Sequence, residues 1–553
     1  MIFLILLSDT LEIKYKKDFK EGNISALKQL AYYYIKKEQY KKALKTLKNY
    51  IKYRKDDDSA YDLIIRIYST QRDYKSAYNW SRKAYLLMPK NINFLKYQAI
   101  FLEKLSKIDD ALVIYKKVYE IDSSIENLVN YAIGLYSKFV HSKSSHDYAK
   151  ALYYLRLSDS IISKAELSGN FDTFLKYQSE HFRILFALTA MYNQNGIKDS
   201  AIYYGMRAYI YATPERKNFY EYLVKMLYKY EKYKDIIEVC KSVLEHYSDE
   251  SFFYEYMGYA YYNLAKKVKL DSLYLKAIES FTIANEIVFS PHIVFFLAEA
   301  YYNLGLKDKA LDLIDKVLDY GDEYKILKMY ILLDKKEFEQ LKEIALTLNK
   351  MNSSAYSILA YSFEYQNKLK LAEKYFKNAL RADKNNPTRY KNLADFYKRR
   401  GNYVLYKEIL IEYVQKRPDD YEANFQLAQE YFKEGKIQTA IKYYEMSIKS
   451  IQAIIDTTVD KKILNFASKI YNNYGYLLVN ENLDIEKGFE LLKKAIQLDP
   501  TNPKILDSFG WALFKKGEYE EAFKYIKTAY EKDQNDSEIR NHYEILKKLL
   551  NKE

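Results

Sequence analysis

One 34-residue stretch decides the fold of this chain: residues 387–420 read PTRYKNLADFYKRRGNYVLYKEILIEYVQKRPDD. Its first half carries apolar residues at i, i+3, i+4 and i+7, a spacing that places them on one helix face: Tyr390, Leu393, Ala394 and Tyr397. Gly401 predicts a turn, because glycine readily adopts a left-handed backbone. Leu410 and Tyr413 then line a second helix, and Pro418 ends the unit. The stretch therefore predicts two helices joined by a tight turn.

The same pattern returns along the chain at an interval of 34 residues. Alanines mark the interval in two places: Ala43, Ala77 and Ala111, and again Ala360, Ala394 and Ala428. Weaker copies begin near Ile24, Asp58, Ile92, Glu126, Phe182, Lys217, Ser251, Pro291, Glu323 and Ser468. A fixed period of this length indicates a repeat architecture, here of roughly fourteen units that stack because one helix pair cannot bury its apolar face alone.

The period and its residue types resemble the tetratricopeptide repeat, a helix–turn–helix unit with small residues at the helix crossing and aromatic residues beside it. The resemblance implies an all-α fold: a right-handed superhelical solenoid of antiparallel helix pairs. It extends over nearly the whole chain. Tyr406 stands where the family has a small alanine, which predicts looser or shifted packing at that point.

The repeat register divides the chain into segments. We expect an N-terminal apolar and basic segment at 1–22, N-terminal repeats at 23–158 with an insertion near 138–148, a long connecting helix or insertion at 159–181, central repeats at 182–350, C-terminal repeats at 351–536 and a capping helix at 537–553. The capping helix would cover the apolar face that the last repeat leaves open.

Composition argues against an enzyme. The chain has 14 Gly and 7 Pro, too few for the loops that usually carry active sites, and no phosphate-binding glycine motif is present. The six histidines are scattered, and the insertion that holds His141 and His146 favours a polar surface loop over a metal site. The single cysteine, Cys240, lies at a position of the repeat that is buried, which favours a core residue over a reactive thiol. We therefore expect no catalytic residue, no metal and no cofactor.

The N-terminus is apolar and then basic. Residues 1–7 read MIFLILL, a run too short to span a bilayer. It is either the start of a helix that packs on the end of the array or the remnant of an export signal whose start lies upstream of Met1. The first reading predicts a cytoplasmic protein, and the second a periplasmic or outer-membrane-associated one. The formal net charge of the whole chain is +14, much of it near the N-terminus.

The first helices of successive units are expected to line a concave groove, as the family resemblance implies. The residues that the register turns toward this groove are mostly aromatic, the type that anchors interfaces: Tyr32, Tyr259, Tyr262, Tyr302, Tyr361, Phe432, Tyr476, Trp511 and Phe514. The family's clamp for a terminal carboxylate needs Lys and Asn one helical turn apart. Here Lys28 is followed one turn later by Tyr32, and Lys391 by Asp395, so the sequence does not predict this clamp.

These features predict a scaffold or adaptor that binds peptide or helical segments of protein partners in the groove, with no transmembrane span. One alternative is a helical-repeat RNA-binding protein, favoured by the basic balance and the many aromatic residues. Another is an accessory subunit of an envelope assembly or secretion complex. Residues 506–513, LDSFGWAL, are similar to the C-terminal repeat of bacterial cell-envelope tetratricopeptide proteins, which favours that alternative.

Overall fold

The computed structural model describes residues 2–169, 171–456 and 460–551, with side chains from residue 11 onward except those of 171 and 173. This part of the chain contains thirty α-helices and one 3-10 helix, Asp315–Tyr320, and no β-strand. The predicted all-α fold is confirmed. The chain divides into two compact units, residues 1–300 and 301–553.

The helices of the first unit are α1 Ile2–Lys20, α2 Ser25–Lys36, α3 Tyr40–Tyr53, α4 Asp58–Thr70, α5 Tyr74–Leu87, α6 Asn93–Lys104, α7 Ile108–Ile121, α8 Ile125–Ser142, α9 Ser145–Ser168, α10 Phe171–Gln194, α11 Lys198–Tyr211, α12 Lys217–Lys229, α13 Tyr233–Leu244, α14 Ser251–Val268 and α15 Asp271–Ile287. Helix α16, Pro291–Asn303, begins in the first unit and ends in the second.

The remaining helices belong to the second unit: α17 Lys307–Ile314, α18 Asp322–Lys335, α19 Phe338–Leu346, α20 Ser353–Tyr365, α21 Leu369–Ala382, α22 Pro387–Arg399, α23 Tyr403–Lys416, α24 Tyr421–Lys433, α25 Ile437–Ile455, α26 Lys461–Asn480, α27 Ile485–Leu498, α28 Pro503–Lys515, α29 Tyr519–Lys532 and α30 Ser537–Leu549.

Apart from α1 and α30, the thirty helices follow one another as fourteen pairs, from α2 and α3 to α28 and α29. Eight of the ten weaker copies begin within one residue of the predicted position. The exceptions are the copies predicted near Phe182 and Ser468, because α10 and α26 are lengthened to 24 and 20 residues and begin earlier. The repeat number and register read from the sequence are therefore confirmed.

A residue with positive φ follows the first helix of every pair. Five of these fourteen positions are glycines, two are asparagines, and the other seven carry charged or hydroxyl side chains. The full set is Glu38, Arg72, Ser106, Lys143, Gly196, Glu231, Lys269, Gly305, Lys336, Asn367, Gly401, Gly435, Asn482 and Gly517. At Gly401 the turn is closed by the backbone N–H of Asn402, which donates to the carbonyl of Tyr397 at 3.0 Å. This left-handed ending satisfies carbonyls at the helix end and turns the chain into the second helix.

Small residues let the two helices of each pair approach closely. Ala31 and Ala43 are fully buried where α2 meets α3, and Leu47 fills the space beside them. Tyr406, predicted to make the packing of its pair looser or shifted, is buried in the core, and its Oη donates to Gln426 Oε1 at 3.0 Å. The larger side chain is accommodated because its one polar atom finds a partner.

The segments predicted to depart from the period form longer helices. Residues 138–142 end α8 and residues 145–148 begin α9, so that only two residues separate these helices. Residues 159–168 belong to α9, and residues 171–181 belong to α10. Cys240 is fully buried, as predicted, and burial raises the pKa of its thiol.

The two ends of the chain pack on their neighbours. At the N-terminus, Tyr15 and Phe19 of α1 pack on the core of the first pair; the predicted packing of the apolar run 1–7 lies outside the described side chains. None of the helices in the described ranges is long and apolar enough to cross a membrane. At the C-terminus, α30 buries Ile539, His542 and Leu546 against α28 and α29, which confirms the predicted capping helix.

Candidate binding site

A pocket of about 230 Å³ opens among the first helices at the C-terminal end of the second unit, and we call it the C-terminal pocket. Helices α24, α26, α28 and α30 contribute most of its walls, together with Tyr444 of α25 and Asp536, which precedes α30. Its lining residues are Gln429, Phe432, Lys433, Tyr444, Asn472, Asn473, Tyr476, Lys504, Asp507, Ser508, Asp536, Glu538 and Ile539.

Helix periodicity explains how these residues come together. Asn472 and Tyr476 lie one turn apart on α26, and Lys504 and Ser508 lie one turn apart on α28, so each pair projects from one face of its helix. Helix α28 contacts both α26 and α30, which places the corresponding faces of the three helices side by side. The site is therefore built on rigid elements, not on loops.

The side-chain amide of Asn472 contributes an available hydrogen-bond acceptor to this pocket. Its side chain is 9% exposed, and its Nδ2 donates to Asn473 Oδ1 at 3.2 Å. Its Oδ1 has no hydrogen-bond partner among the described residues. A buried acceptor without a donor costs free energy, so this position would gain from a ligand that donates a hydrogen bond.

A buried acid–base pair lies at the junction of α28 and α30. His542 Nδ1 is 2.9 and 3.1 Å from the two carboxylate oxygens of Asp507. The His542 ring stacks on Trp511 with 3.9 Å between centroids and an interplanar angle of 11°. Burial raises the pKa of Asp507, and the hydrogen bond from His542 only partly opposes this. His542 is the partner of Asp507 at this junction.

Three further contacts fix the rim of the pocket. Tyr476 Oη donates to a carboxylate oxygen of Glu538, which links α26 to α30 across α28, and burial raises the pKa of Tyr476. Lys504 Nζ lies 3.5 Å from Asp536 Oδ2. Lys433 Nζ lies 2.7 Å from Glu430 Oε1. Both lysines of the lining are therefore already close to a carboxylate.

Of the nine aromatic residues predicted to face a groove, Phe432 and Tyr476 line the C-terminal pocket. Trp511 lies behind it at 9% exposure, between His542 and Phe514, and Phe514 is half-buried. The remaining five do not line this pocket. Tyr32 is 44% exposed on α2, while Tyr302 and Tyr361 are half-buried.

Tyr259 and Tyr262 require a correction, because both are buried and cannot present an accessible surface. Tyr259 is 5% exposed, and its Oη donates to Glu255 Oε1 at 2.7 Å and lies 2.7 Å from His292 Nδ1. Phe296 of α16 packs edge-on against its ring at 4.8 Å. The register assigns Tyr259 to a helix face, and side chains of the neighbouring pairs cover it there.

The polar residues of the pocket were not recognised in the sequence. Asn472 and Asp507 occupy the same position in successive units, 35 residues apart, and a comparison of polar side chains at that position would have found them. His542 and Glu538 carried no comparable signal, because their place in the site depends on how α30 docks.

The basic N-terminus forms a second concave feature. A cleft of about 980 Å³ among α1, α2 and α3 has buried leucines at its base, including Leu30 and Leu44. Six lysines also line this cleft: Lys16, Lys41, Lys42, Lys45, Lys48 and Lys52. Among the described side chains that line the cleft, Glu12 is the one carboxylate, and it pairs with Lys16 at 2.6 Å. The cleft therefore has a positive rim.

Comparisons with solved structures give loose overall similarity. The chain is similar to a chain in the structure of Naa15/Naa10 bound to HypK-THB, at 13% identity over 96% of this chain and 97% of that one, with a TM-score of 0.35. It is also similar to yeast Tom70, at 16% identity over 96% and 97%, with a TM-score of 0.30, and to MamA, at 24% identity over 33% and 92%, with a TM-score of 0.27. These TM-scores are too low to support any transfer of function.

The sequence comparisons are local. No curated protein matches the chain. Two stretches match models of the tetratricopeptide repeat, residues 421–452 and residues 491–524. The first match covers α24 and nearly all of α25, and the second covers most of α27, α28 and the start of α29. Together with the fourteen helix pairs and their shared turn, these two matches support a tetratricopeptide repeat protein.

Proposed function

We propose that this chain is a non-catalytic scaffold or adaptor that binds a peptide or a helical segment of a partner protein at the first-helix face of its second unit, in the C-terminal pocket. Tetratricopeptide repeat proteins are in general protein-interaction scaffolds, and the proposal narrows that role to one site. The single observation that carries it is the group of unsatisfied or partly satisfied polar atoms around Asn472 and Asp507, set beside the aromatic rings of Phe432 and Tyr476.

The size and composition of the pocket favour a peptide. At about 230 Å³ it is smaller than the roughly 300–1,000 Å³ typical of sites for drug-sized ligands, so it has room for a side chain of an extended segment. Amide, carboxylate and hydroxyl groups in its lining can pair with a peptide backbone, and the aromatic residues supply contact area at low entropy cost. A partner of this kind is also compatible with an accessory subunit of an envelope assembly or secretion complex.

The test is selection of ligands from a random peptide library displayed on phage, with the full chain immobilised. Selected peptides are then measured by fluorescence anisotropy against the Gln429→Trp variant, in which a larger ring fills the pocket from α24. Gln497→Trp, on the exposed face of α27, is the matched control. We expect the first variant to weaken binding about tenfold or more and the control to leave it within about twofold. Failure to select any peptide, or equal binding by both variants, would reject the proposal.

The basic cleft among α1, α2 and α3 favours a second candidate function, the binding of RNA. Its six lining lysines could neutralise phosphates, although lysine lacks the planar, bidentate geometry with which arginine recognises them. A salt titration of binding to single-stranded RNA tests this: affinity should fall steeply with salt, and Lys45→Gln together with Lys52→Gln should reduce the slope. A shallow salt dependence that these substitutions leave unchanged would exclude this role for the cleft.

A further inference from the structure

Two buried side chains of the C-terminal pocket, those of Asn472 and Asp507, carry acceptor oxygens with few donors near them. Asn472 Oδ1 has no partner among the described residues, and Asp507 has His542 as its one neighbouring donor there. Both side chains are more than nine-tenths buried and line the same pocket. A ligand that brings hydrogen-bond donors would satisfy both, whereas a ligand that brings only acceptors would satisfy neither.

The formal charges of the side chains that line the pocket also favour a ligand that brings hydrogen-bond donors. Three carboxylates line the pocket, those of Asp507, Asp536 and Glu538, against the two ammonium groups of Lys433 and Lys504. Lys433 is paired with Glu430, outside the lining, and Lys504 lies close to Asp536. Asp507 and Glu538 therefore have no lysine or arginine partner among the described residues. A further positive charge in the pocket would compensate them.

The N-terminus of α30 also borders the pocket, and a free helix N-terminus would instead attract an anion. That end is already occupied. Asp536 Oδ1 accepts from the backbone N–H groups of Glu538 at 3.0 Å and of Ile539 at 3.3 Å. A cap of this kind satisfies the free donors of the first turn and places a negative charge at the positive end of the helix dipole. An external anion consequently has little to gain here.

We infer that the C-terminal pocket selects a partner segment with a lysine or arginine side chain, whose cationic end enters among Asn472, Asp507 and Glu538. The aromatic ring of Tyr476 beside these groups adds a face on which a cation can rest. This inference depends on the proposed function, because it names the feature of the peptide that the same site would recognise.

The experiment uses fluorescent pools of acetylated nonapeptides, randomised except at a fixed central residue. The central residue is Lys, Arg, Gln, norleucine or Glu. Binding of each pool to the full chain is measured by fluorescence anisotropy at physiological salt. We expect the Lys or the Arg pool to bind about tenfold more tightly than the Gln and norleucine pools, the size expected for one charge-assisted hydrogen bond, and the Glu pool to bind most weakly.

Two variants and one control locate the selection. Glu538→Gln keeps an acceptor for Tyr476 and removes only the negative charge. Asp507→Asn likewise keeps an acceptor for His542 and removes the negative charge. Either change should reduce the preference for the cationic pools to about threefold or less. Glu544→Gln, an exposed carboxylate of the same helix that lies outside the lining, should leave the preference unchanged. Glu538 is exposed, so its variant keeps the test valid if Asp507→Asn fails to fold.

The outcomes separate this inference from the proposed function. If the Lys, Arg and Gln pools bind equally and Gln429→Trp abolishes this binding, the cation preference is overturned while peptide binding in the pocket is supported. A preference for cationic pools that persists in both charge-removing variants would also overturn it, because the selecting groups would lie elsewhere. If no pool binds at all, the proposed function fails together with the inference.

Discussion

Gly475 and Gly488 face each other where α26 crosses α27, and a Cβ atom on either residue would lie 2.8 Å from the carbonyl oxygen of the other. The contact is between backbones, so no side-chain rotation can relieve it. This crossing fixes the position of α26, which carries Asn472 and Tyr476 into the C-terminal pocket. The stability of the site therefore depends on two residues that do not touch it.

We expect Gly475→Ala to lower the free energy of unfolding of the second unit by about 1–3 kcal/mol, because the added methyl group forces the two helices apart. In a Trp80→Phe background, Trp511 is the remaining tryptophan, and its fluorescence follows urea unfolding of this unit. Lys469→Ala, on the exposed face of the same helix, is the control and should be nearly neutral. An unchanged urea midpoint for Gly475→Ala would show that the crossing is looser than described.

The left-handed residue that ends each first helix gives a second prediction. Arg72 has φ of 58° and Gly401 has φ of 68°, at equivalent positions in their units. Because a side chain disfavours this conformation, we expect Arg72→Gly to raise the free energy of unfolding by about 0.5–1 kcal/mol and Gly401→Ala to lower it by about 1 kcal/mol.

The comparison at Gly401 isolates the backbone effect, since a Cβ atom there would meet no other atom within 4 Å. Urea unfolding of the full chain followed by circular dichroism measures both variants. Opposite shifts of the midpoint support the shared turn as the element that closes every pair. Shifts of the same sign would contradict it.

The repeat register could be read from the sequence because helix crossings restrict residue type at fixed positions. Alanines such as Ala43 and Ala394 are fully or almost fully buried at these crossings, so their spacing reports the spacing of the helix pairs. The turn was predicted only where glycine marks it. Arg72 and Ser106 adopt the same positive φ without any sequence signal, because the hydrogen bonds of the turn impose the conformation.

The site was less predictable than the fold. The register assigns a residue to a helix face, but it does not say whether the adjacent pair covers that face, which is why Tyr259 was misread. Buried polar clusters are harder still to predict from the sequence. His181 Nε2 lies 2.9 Å from Asp159 Oδ1, and Arg207 lies 3.0 Å from the same oxygen, although the three residues come from three helices. Such contacts arise from tertiary packing and leave no periodic signal.

Asp57 gives a prediction of pH dependence in the first unit. Burial alone would raise the pKa of Asp57, but hydrogen bonds from Lys28, Ser59 and Tyr50 outweigh it and hold that pKa well below its usual value. Tyr50 Oη donates to Asp57 Oδ2 at 2.6 Å, and Ala60 N–H donates to Asp57 Oδ1 at 3.2 Å. Because the folded pKa is depressed, the stabilisation is present above the unfolded pKa and is lost as pH falls below about 4.

We expect Asp57→Asn to lower the free energy of unfolding by about 1–2 kcal/mol at neutral pH, the usual scale for hydrogen bonds to a charged group. The difference between the wild type and this variant should shrink as pH falls through the usual range of aspartate. Thermal unfolding across that pH range is the measurement. Asp56→Asn removes an exposed neighbouring charge and serves as the control. A difference that stays constant with pH would mean that Asp57 does not carry this dependence.

Tyr259 supplies the last prediction, because its burial reverses what the sequence suggested. The side chain lies between Tyr228 of α12 at 5.8 Å and Phe296 of α16 at 4.8 Å. Burial raises the pKa of its hydroxyl, with Glu255 as a hydrogen-bond acceptor.

Tyr259→Ala should therefore destabilise the first unit by about 3–5 kcal/mol, the range for truncating a buried aromatic residue, whereas Tyr259→Phe should cost about 1–2 kcal/mol. Tyr32→Ala is the exposed counterpart and should change stability by about 0.5 kcal/mol or less. Urea unfolding followed by circular dichroism ranks the three variants, and near-wild-type stability of Tyr259→Ala would return Tyr259 to the list of accessible contact residues.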